Sequence, residues 1–210
     1  MVVYEQLLDR ETQWALHEAS MHFEEKSAVH HALRDIADRL TRIGVDYAVV
    51  DGMALFAHGY RRFTEDVDVL VTPEGLAAIH AQLEGKGYRP LFAGSRNLRD
   101  TEHGIRIEFL VTGGYPGDGK PKPVAFPNPC DVSTEKDGVK YLNLPTLLEL
   151  KLASGMSSPG RLRDLADVQD AIRVLRLPAD FAGQLHPFVR DKYNELWAGA
   201  QHDAAPDYGE

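Results

Sequence analysis

YAVVDGMALFAHGYRRFTEDVDVLV, residues 47–71, combines two apolar runs, a glycine turn and a pair of aspartates in one short stretch. Residues 47–50 are mostly β-branched or aromatic and run into an Asp-Gly pair, which predicts a buried strand followed by a turn. Residues 53–58 predict a short helix. Polar and apolar side chains then alternate over residues 65–71, which is typical of a strand with one buried face. The stretch therefore predicts a strand–helix–strand unit.

Two carboxylates lie on the second of these predicted strands. Asp66 and Asp68 are two residues apart, so both side chains project from the same face of the strand. Neighbouring carboxylates repel each other, and a raised pKa, a basic neighbour or a bound cation relieves the repulsion. Mg²⁺ prefers carboxylate oxygens and leaves its remaining positions to water and phosphates. The pair alone fits a magnesium site and also fits a solvated strand face.

A third acidic residue lies on a later predicted strand. Apolar side chains at residues 105–111 alternate with Arg106, Glu108 and Leu110, so Glu108 projects from the face opposite the apolar set. A solvated carboxylate paired with Arg106 or with a base on a neighbouring strand explains Glu108 on its own. Next to the aspartate pair, Glu108 would instead complete a site of three carboxylates.

The order of motifs resembles the nucleotidyltransferase fold superfamily, in particular its small bacterial members, which include toxin-type and antibiotic-modifying transferases. The matching residues are Asp51, Gly52, Gly59, Arg62, Thr64, Asp66 and Asp68. The resemblance implies that the two aspartates bind metal ions and that the glycine turn holds a triphosphate. Family members usually carry Gly-Gly or Gly-Ser at the turn, and here Asp51 brings bulk and negative charge toward an anion. An altered site therefore remains an alternative.

Further motifs of the family have counterparts downstream. Residues 106–110 resemble the motif that carries the third carboxylate, with Glu108 in place of the commoner Asp. The resemblance implies that Asp66, Asp68 and Glu108 are catalytic and bind Mg²⁺, with room for two ions, and that one oxygen accepts the proton of the acceptor.

The toxin-type members also carry a lysine on one helix and basic and acidic residues on the next. The matching residues are Lys151, Arg161, Arg163, Asp164 and Asp167. Together with the turn motif, they imply a nucleotide-binding set. Its members are Gly52, Arg62, Thr64, Lys151 and Asp164. Charge pairs three and four residues apart on a helix surface explain the acidic members equally well.

The whole chain predicts an α+β fold, with a small mixed β-sheet flanked by helices and a C-terminal helical portion. We expect an N-terminal helical extension over residues 1–44, a nucleotidyltransferase-like core over 45–143, C-terminal helices over 144–198 and a disordered tail over 199–210. Within the C-terminal helices, residues 161–175 and 178–197 each predict one helix. The first of these is expected to turn Leu162, Leu165 and Ala166 toward the core and Asp164 and Asp167 to the outside.

Residues 112–129 contain five prolines and four glycines, which predicts a long loop. Such a loop fits a lid, an acceptor-binding segment or a plain surface excursion.

The composition of the chain argues against some classes of binding partner. The 210 residues are 43% hydrophobic with a net charge of −9, which argues against sequence-independent binding of duplex DNA. The single cysteine, the absence of an apolar run long enough for a membrane span and the start of the chain favour a cytoplasmic protein. The histidine spacing shows no zinc-site pattern.

The sequence thus predicts a metal-dependent nucleotidyltransferase that moves a nucleoside monophosphate from a triphosphate to an acceptor hydroxyl. The acceptor is open between a small molecule, a protein side chain and an RNA end. The alternative is a catalytically degenerate member that binds a nucleotide or a protein partner, for example in a toxin–antitoxin pair.

Overall fold

Tyr47–Val50 (β1) and Asp66–Val71 (β2) form an antiparallel pair at the centre of a seven-stranded mixed sheet in the computed structural model, which describes residues 3–202. The other strands are β3 (Tyr88–Pro90), β4 (Leu98–Asp100), β5 (Arg106–Val111), β6 (Ser133–Lys136) and β7 (Val139–Leu142). Their order across the sheet is β3-β4-β5-β2-β1-β7-β6. β5 runs parallel to β2 and β7 runs parallel to β1, whereas the other neighbours are antiparallel. The predicted α+β fold with a mixed sheet is confirmed.

Helices pack on both faces of this sheet. In chain order they are α1 (Tyr4–Arg10), α2 (Thr12–Phe23), α3 (Ala28–Arg42), α4 (Asp51–Ala57), α5 (Pro73–Leu83), α6 (Pro129–Val132), α7 (Leu144–Ser157), α8 (Leu162–Leu175) and α9 (Pro187–His202). Short 3-10 turns occupy Pro159–Arg161 and Ala179–Gln184. α5 begins after Thr72, because the Thr72 hydroxyl accepts a hydrogen bond from the Gly75 amide and Pro73 follows the cap.

The alternation along the strands assigns each side chain to one of two cores. Val67 and Val69 face a core built with α3 and α5, and so does Phe109 of β5. Ala48 of β1 and Leu70 of β2 face the other core, which contains α4, α7, α8 and α9. Side chains two positions apart on a strand share a face, so Asp66 and Asp68 lie on the same face as Leu70. For the same reason Glu108 lies on the same face as Leu110. The C-terminal helices cover this face of the sheet.

The orientation of α8 differs from the prediction. Leu162 is 67% exposed and Ala166 is exposed, whereas Asp164 and Asp167 are buried together with Val168. The helix therefore buries a face that begins with its two aspartates and continues through its apolar residues. Buried carboxylates need a cationic partner, and a lysine of α7 supplies it, as described below.

The end of the chain also differs from the prediction. Residues 178–197 do not form one helix, because the chain is extended at Leu185 and a new helix starts at Pro187. α9 continues to His202, so residues 199–202 are helical and not part of a disordered tail; the rest of that predicted tail lies outside the described residues.

The hairpin of β6 and β7 was not predicted. It turns at Asp137-Gly138, where both residues have positive φ, of 52° and 77°. An Asp-Gly pair is the usual sequence signal for this kind of turn. No helix within residues 3–202 is long and apolar enough to cross a membrane.

Candidate active site

The three predicted metal ligands lie on adjacent strands of the sheet. β2 and β5 are parallel, and their register sets Asp68 opposite Glu108 and Asp66 opposite Arg106. All four side chains therefore share one face of the sheet. They line a cleft of about 440 Å³ between the sheet and the start of α8. Thus the structure brings Asp66, Asp68 and Glu108 together as the sequence predicts.

The guanidinium of Arg106 lies between two of these carboxylates. Its Nη2 donates a hydrogen bond of 2.7 Å to Oδ2 of Asp66, and its Nε lies 3.0 Å from Oε1 of Glu108. The ion pair with Asp66 joins β5 to β2, whereas the contact with Glu108 lies within β5. Arg106 was expected at most as a partner of Glu108, and its contact with Asp66 follows from the parallel register.

Asp68 is the carboxylate that these contacts leave without a partner. Within residues 3–202 its side chain has no hydrogen bond or ion pair, although Asp51, Asp66 and Glu108 surround it. Burial, followed by the charges of these three residues, raises the pKa of Asp68 well above its ordinary value. Burial also raises the pKa of Glu108, against the opposing effect of Arg106. Asp68 therefore lies in a field that favours an added positive charge.

Thr64 and Gly52 support the aspartate strand. The buried Thr64 hydroxyl donates a hydrogen bond of 3.0 Å to Oδ1 of Asp66 and so fixes the orientation of that carboxylate. Gly52 packs directly behind it, because a Cβ at Gly52 would lie 2.9 Å from both Cβ and Oγ1 of Thr64. Any side chain at residue 52 would displace Thr64, which gives a packing reason for this glycine.

A second group of charges lies where α4, α7 and α8 meet. Lys151 is almost completely buried in α7, and its Nζ lies 2.7 Å from Asp51, 2.8 Å from Asp167 and 3.1 Å from Asp164. Ser154 donates a hydrogen bond of 2.6 Å to the other oxygen of Asp164. Burial opposes the charge of Lys151, but the three carboxylates outweigh it and raise its pKa.

Arg62 extends this group to the cleft. Its guanidinium lies 2.8 Å from Asp51 and 2.9 Å from Asp167, so it shares two of the partners of Lys151. The resulting cluster has two cations and three carboxylates, and it includes three of the predicted nucleotide-binding residues and Asp167. Asp167 matches the family motif but is outside the predicted nucleotide-binding set, and Ser154 was not predicted. The pattern Lys-x-x-Ser on a helix carries no signal specific enough to identify Ser154.

Asp51 occupies the first position of α4. Its φ is 52°, a left-handed conformation that is uncommon for residues other than glycine, asparagine and aspartate. The sequence predicts a turn at Asp51, and the structure makes it the first residue of the helix. Burial opposes ionisation, but Lys151 and then Arg62 lower the pKa of Asp51. Its negative charge is therefore neutralised by residues that would otherwise attract phosphate.

The donor set fits a divalent cation in its chemistry. Asp66, Asp68 and Glu108 offer only oxygen ligands, and Asp68 is an unpaired carboxylate whose surroundings disfavour its negative charge. In the described part of the chain, only Asp35, Glu102 and His103 have ligand atoms that all lie within 4.8 Å of one another. The oxygens of Asp66, Asp68 and Glu108 are therefore not all within this distance of each other. In this structure the guanidinium of Arg106 provides the positive charge between Asp66 and Glu108.

The group of Asp35, Glu102 and His103 lies outside the cleft. The imidazole of His103 also stacks on that of His31, with 5.7 Å between ring centroids. These residues come from α3 and from the turn before β5, so their spacing in the sequence gives no sign of their proximity. Asp35, Glu102 and His31 are exposed, and none of the four lines the cleft.

A smaller cavity of about 140 Å³ adjoins the cleft under residues 112–128, which form the predicted loop. Phe126 and Leu110 line it together with Leu147 of α7, and Asp68 and Glu108 line both spaces. The loop is held by backbone hydrogen bonds between residues 113 and 114 and Phe126. Thus Asp68 and Glu108 lie between the charged cleft and the more apolar smaller cavity.

Comparisons with solved structures found similar folds. ANT(2″)-Ia, in a structure with adenylyl-2″-tobramycin, is 13% identical, with a TM-score of 0.48 over 83% of this chain and 96% of that chain. A protein of Thermotoga maritima provisionally described as a nucleotidyltransferase is 20% identical, with a TM-score of 0.46 over 65% and 91%. An antigenic nucleotidyltransferase-like protein of Paracoccidioides brasiliensis is 15% identical, with a TM-score of 0.46 over 84% and 88%.

No protein-family model and no curated protein matched the chain.

Proposed function

We propose that this protein is a metal-dependent nucleotidyltransferase that transfers a nucleoside monophosphate from a nucleoside triphosphate to an acceptor hydroxyl. The proposal is carried by the clustering of Asp66, Asp68 and Glu108 on one face of two parallel strands, inside a cleft. The lining of that cleft has seven carboxylates and four arginines, so its excess negative charge favours cations. A cation held there would in turn favour a triphosphate.

Asp66, Asp68 and Glu108 are the residues that would hold Mg²⁺. When bound, the ion would neutralise charge on the triphosphate and on the departing pyrophosphate. Thr64 keeps Asp66 oriented through its hydrogen bond of 3.0 Å, so this ligand is positioned before anything binds. The second cation of a two-ion site would use the same carboxylates.

Glu108 is the residue we assign to proton transfer. In the reaction the acceptor oxygen bonds to the α-phosphorus, the bond to pyrophosphate breaks, and the hydroxyl proton must leave. Burial raises the pKa of Glu108, which makes its carboxylate a better proton acceptor than a solvated one. Glu108 also lines the smaller cavity under the loop, which makes that cavity a suitable place for the acceptor.

The nucleotide would lie on the side of the cleft formed by α4, α7 and α8. Arg62, Thr64 and Asp164 line the cleft there, and the Nζ of Lys151 lies 3.1 Å from Asp164. Gly52 contributes by allowing Thr64 to approach the start of α4. Because Lys151 and Arg62 are both paired with carboxylates, we propose that they orient the site around the nucleotide as well as contact it.

Thermal unfolding tests the nucleotide and metal site on which the proposal depends. The wild type and Asp66→Asn are heated with each of the four ribonucleoside triphosphates, with and without Mg²⁺. A ligand at a hundredfold excess over its dissociation constant stabilises the folded state by about 2.7 kcal/mol. A rise in midpoint that needs Mg²⁺, occurs with one base and is lost in Asp66→Asn supports the proposal. No rise with any triphosphate in the wild type contradicts it.

One observation favours a second function, a nucleotide- or protein-binding module without catalysis. Asp51 lies at the position expected for phosphate binding and is paired with both Lys151 and Arg62. Incubation with α-³²P-labelled triphosphates and cell extract separates the two functions. Label transferred to an acceptor supports the enzyme, whereas nucleotide binding without transfer supports the module.

A further inference from the structure

Arg106 has an environment that its neighbours on β5 do not share. It contacts Asp66 on β2 at 2.7 Å and Glu108 on its own strand at 3.0 Å, while 37% of its side chain remains exposed to the cleft. These two carboxylates are the same groups that the proposed function assigns to the metal. Arg106 and a divalent cation therefore require the same oxygens.

We propose that Arg106 is an exchangeable internal cation, which competes with the metal and moves to the triphosphate when the metal binds. This inference rests on the proposed function. A metal held by Asp66 and Glu108 neutralises the negative charge of both partners of Arg106. The attraction that holds the guanidinium between these two carboxylates is therefore lost. A triphosphate in the same cleft offers it a new anionic partner with geometry suited to a guanidinium.

The contacts imply a coupling between the two ligands. The metal alone must displace Arg106, which weakens metal binding, whereas a triphosphate that binds with the metal gives the displaced Arg106 a new anionic partner. Coupling of this kind is reciprocal, because a ligand that relieves the cost of displacing Arg106 raises the affinity for the other. The chain thereby resists metal binding until a nucleotide is present.

Asp68 determines the order in which the metal contacts form. It is the one ligand of the three that has no hydrogen bond or ion pair within residues 3–202, and it lies directly opposite Glu108 in the register of β2 and β5. An incoming cation can contact Asp68 before Arg106 leaves its own partners. If Arg106 were only a strap between β2 and β5, removing it would loosen the strands without improving metal affinity.

The test measures metal binding and phosphate binding separately, with no catalytic readout. Mn²⁺ affinity is measured by electron paramagnetic resonance for the wild type, Arg106→Gln and Arg42→Gln. Arg42→Gln is the matched control, because Arg42 pairs with Asp38 on the exposed surface of α3. Affinity for inorganic tripolyphosphate with saturating Mg²⁺ is measured by calorimetry on the same three proteins.

Arg106→Gln is expected to bind Mn²⁺ about tenfold more tightly than the wild type and to bind magnesium tripolyphosphate about tenfold more weakly. Arg42→Gln should match the wild type in both measurements. If Arg106→Gln does not fold, Arg106→Lys is used; a lysine cannot pair two carboxylates with a planar fork, so a smaller change in the same two directions is expected.

Each outcome has one meaning. Unchanged Mn²⁺ affinity in the Arg106 variant, with normal metal and phosphate binding by the wild type, overturns the exchange and leaves the proposed function intact. If neither the wild type nor the variant binds Mn²⁺ or magnesium tripolyphosphate, the proposed function itself fails.

Discussion

The ammonium nitrogen of Lys151 lies 2.7 Å from Oδ1 of Asp51, although the two residues are 100 positions apart in the chain. This ion pair joins the first residue of α4 to the buried side of α7. Since α4 follows the central strand β1 directly, the pair fixes the C-terminal helices against the sheet face that carries the three carboxylates. The position of the helices over the cleft therefore depends on a few buried charges.

Asp51→Asn should strengthen phosphate binding. The substitution removes one negative charge beside Lys151 and Arg62, and asparagine tolerates the positive φ of residue 51. We expect the affinity for magnesium tripolyphosphate to rise about 5- to 10-fold, measured by calorimetry.

Asp46→Asn serves as the control for this variant. Asp46 is largely exposed, lies 3.9 Å from Lys140 and does not line the cleft. An equal gain in both variants would mean that net charge, and not the position of Asp51, limits phosphate binding.

Lys151→Met should destabilise the protein severely. The methionine would leave Asp51, Asp164 and Asp167 close together with Arg62 as the remaining cation among them. Removing one partner of a buried ionic group costs about 3–5 kcal/mol. Urea unfolding measures the loss.

Lys26→Met is the comparison, because Lys26 forms an exposed ion pair with Glu24. That substitution should cost about 1 kcal/mol or less. Similar losses in both variants would show that the buried cluster does not stabilise the fold.

Asp68→Asn should raise stability in the absence of metal. Its raised pKa means that the folded state disfavours the ionised carboxylate at neutral pH, and asparagine carries no charge. We expect a gain of about 1–2 kcal/mol in thermal unfolding with EDTA, together with loss of the stabilisation by Mg²⁺. A Mg²⁺ response equal to that of the wild type would exclude Asp68 as a ligand.

Stability should decrease when the pH falls below about 6.5. Burial, and then the charges of His22 and Arg34, lower the pKa of His30 from 6.5 to about 3, so between these values the unfolded chain binds the extra proton. Stability therefore decreases as the pH is lowered, by at most about 1.4 kcal/mol per pH unit from this group. Burial also lowers the pKa of His22, which adds in the same direction.

The variant His30→Gln removes this titration. Urea unfolding at pH 7, 6, 5 and 4 should give a shallower loss of stability than in the wild type. Parallel curves for the two proteins would show that His30 is not the group responsible.

The alternation of residues was enough to predict the strands that carry the site. Period-two patterns at residues 65–71 and 105–111 predict that Asp66, Asp68 and Glu108 project from the face opposite their apolar neighbours. In the sheet these three side chains do lie on that face. These features depend on residues close together in the chain, which is why the sequence reveals them.

The same local reasoning gave the wrong face for α8. Asp164 and Asp167 look like surface residues because aspartate is rarely buried without a partner, and the partner lies on another helix. The Asp137-Gly138 hairpin is a different case, because its turn signal is local and the sequence carries it.

The sequence by itself determined that β2 and β5 form and which of their carboxylates share a face, because side-chain direction along a strand follows from backbone geometry alone. Only the tertiary structure decided which charge pairs with which. Arg106 reaches Asp66 through the parallel register of β2 and β5, and Lys151 gathers three carboxylates from α4 and α8. Electrostatic pairing depends on distances between elements far apart in the chain and on their burial, and both exist only after the helices have packed on the sheet.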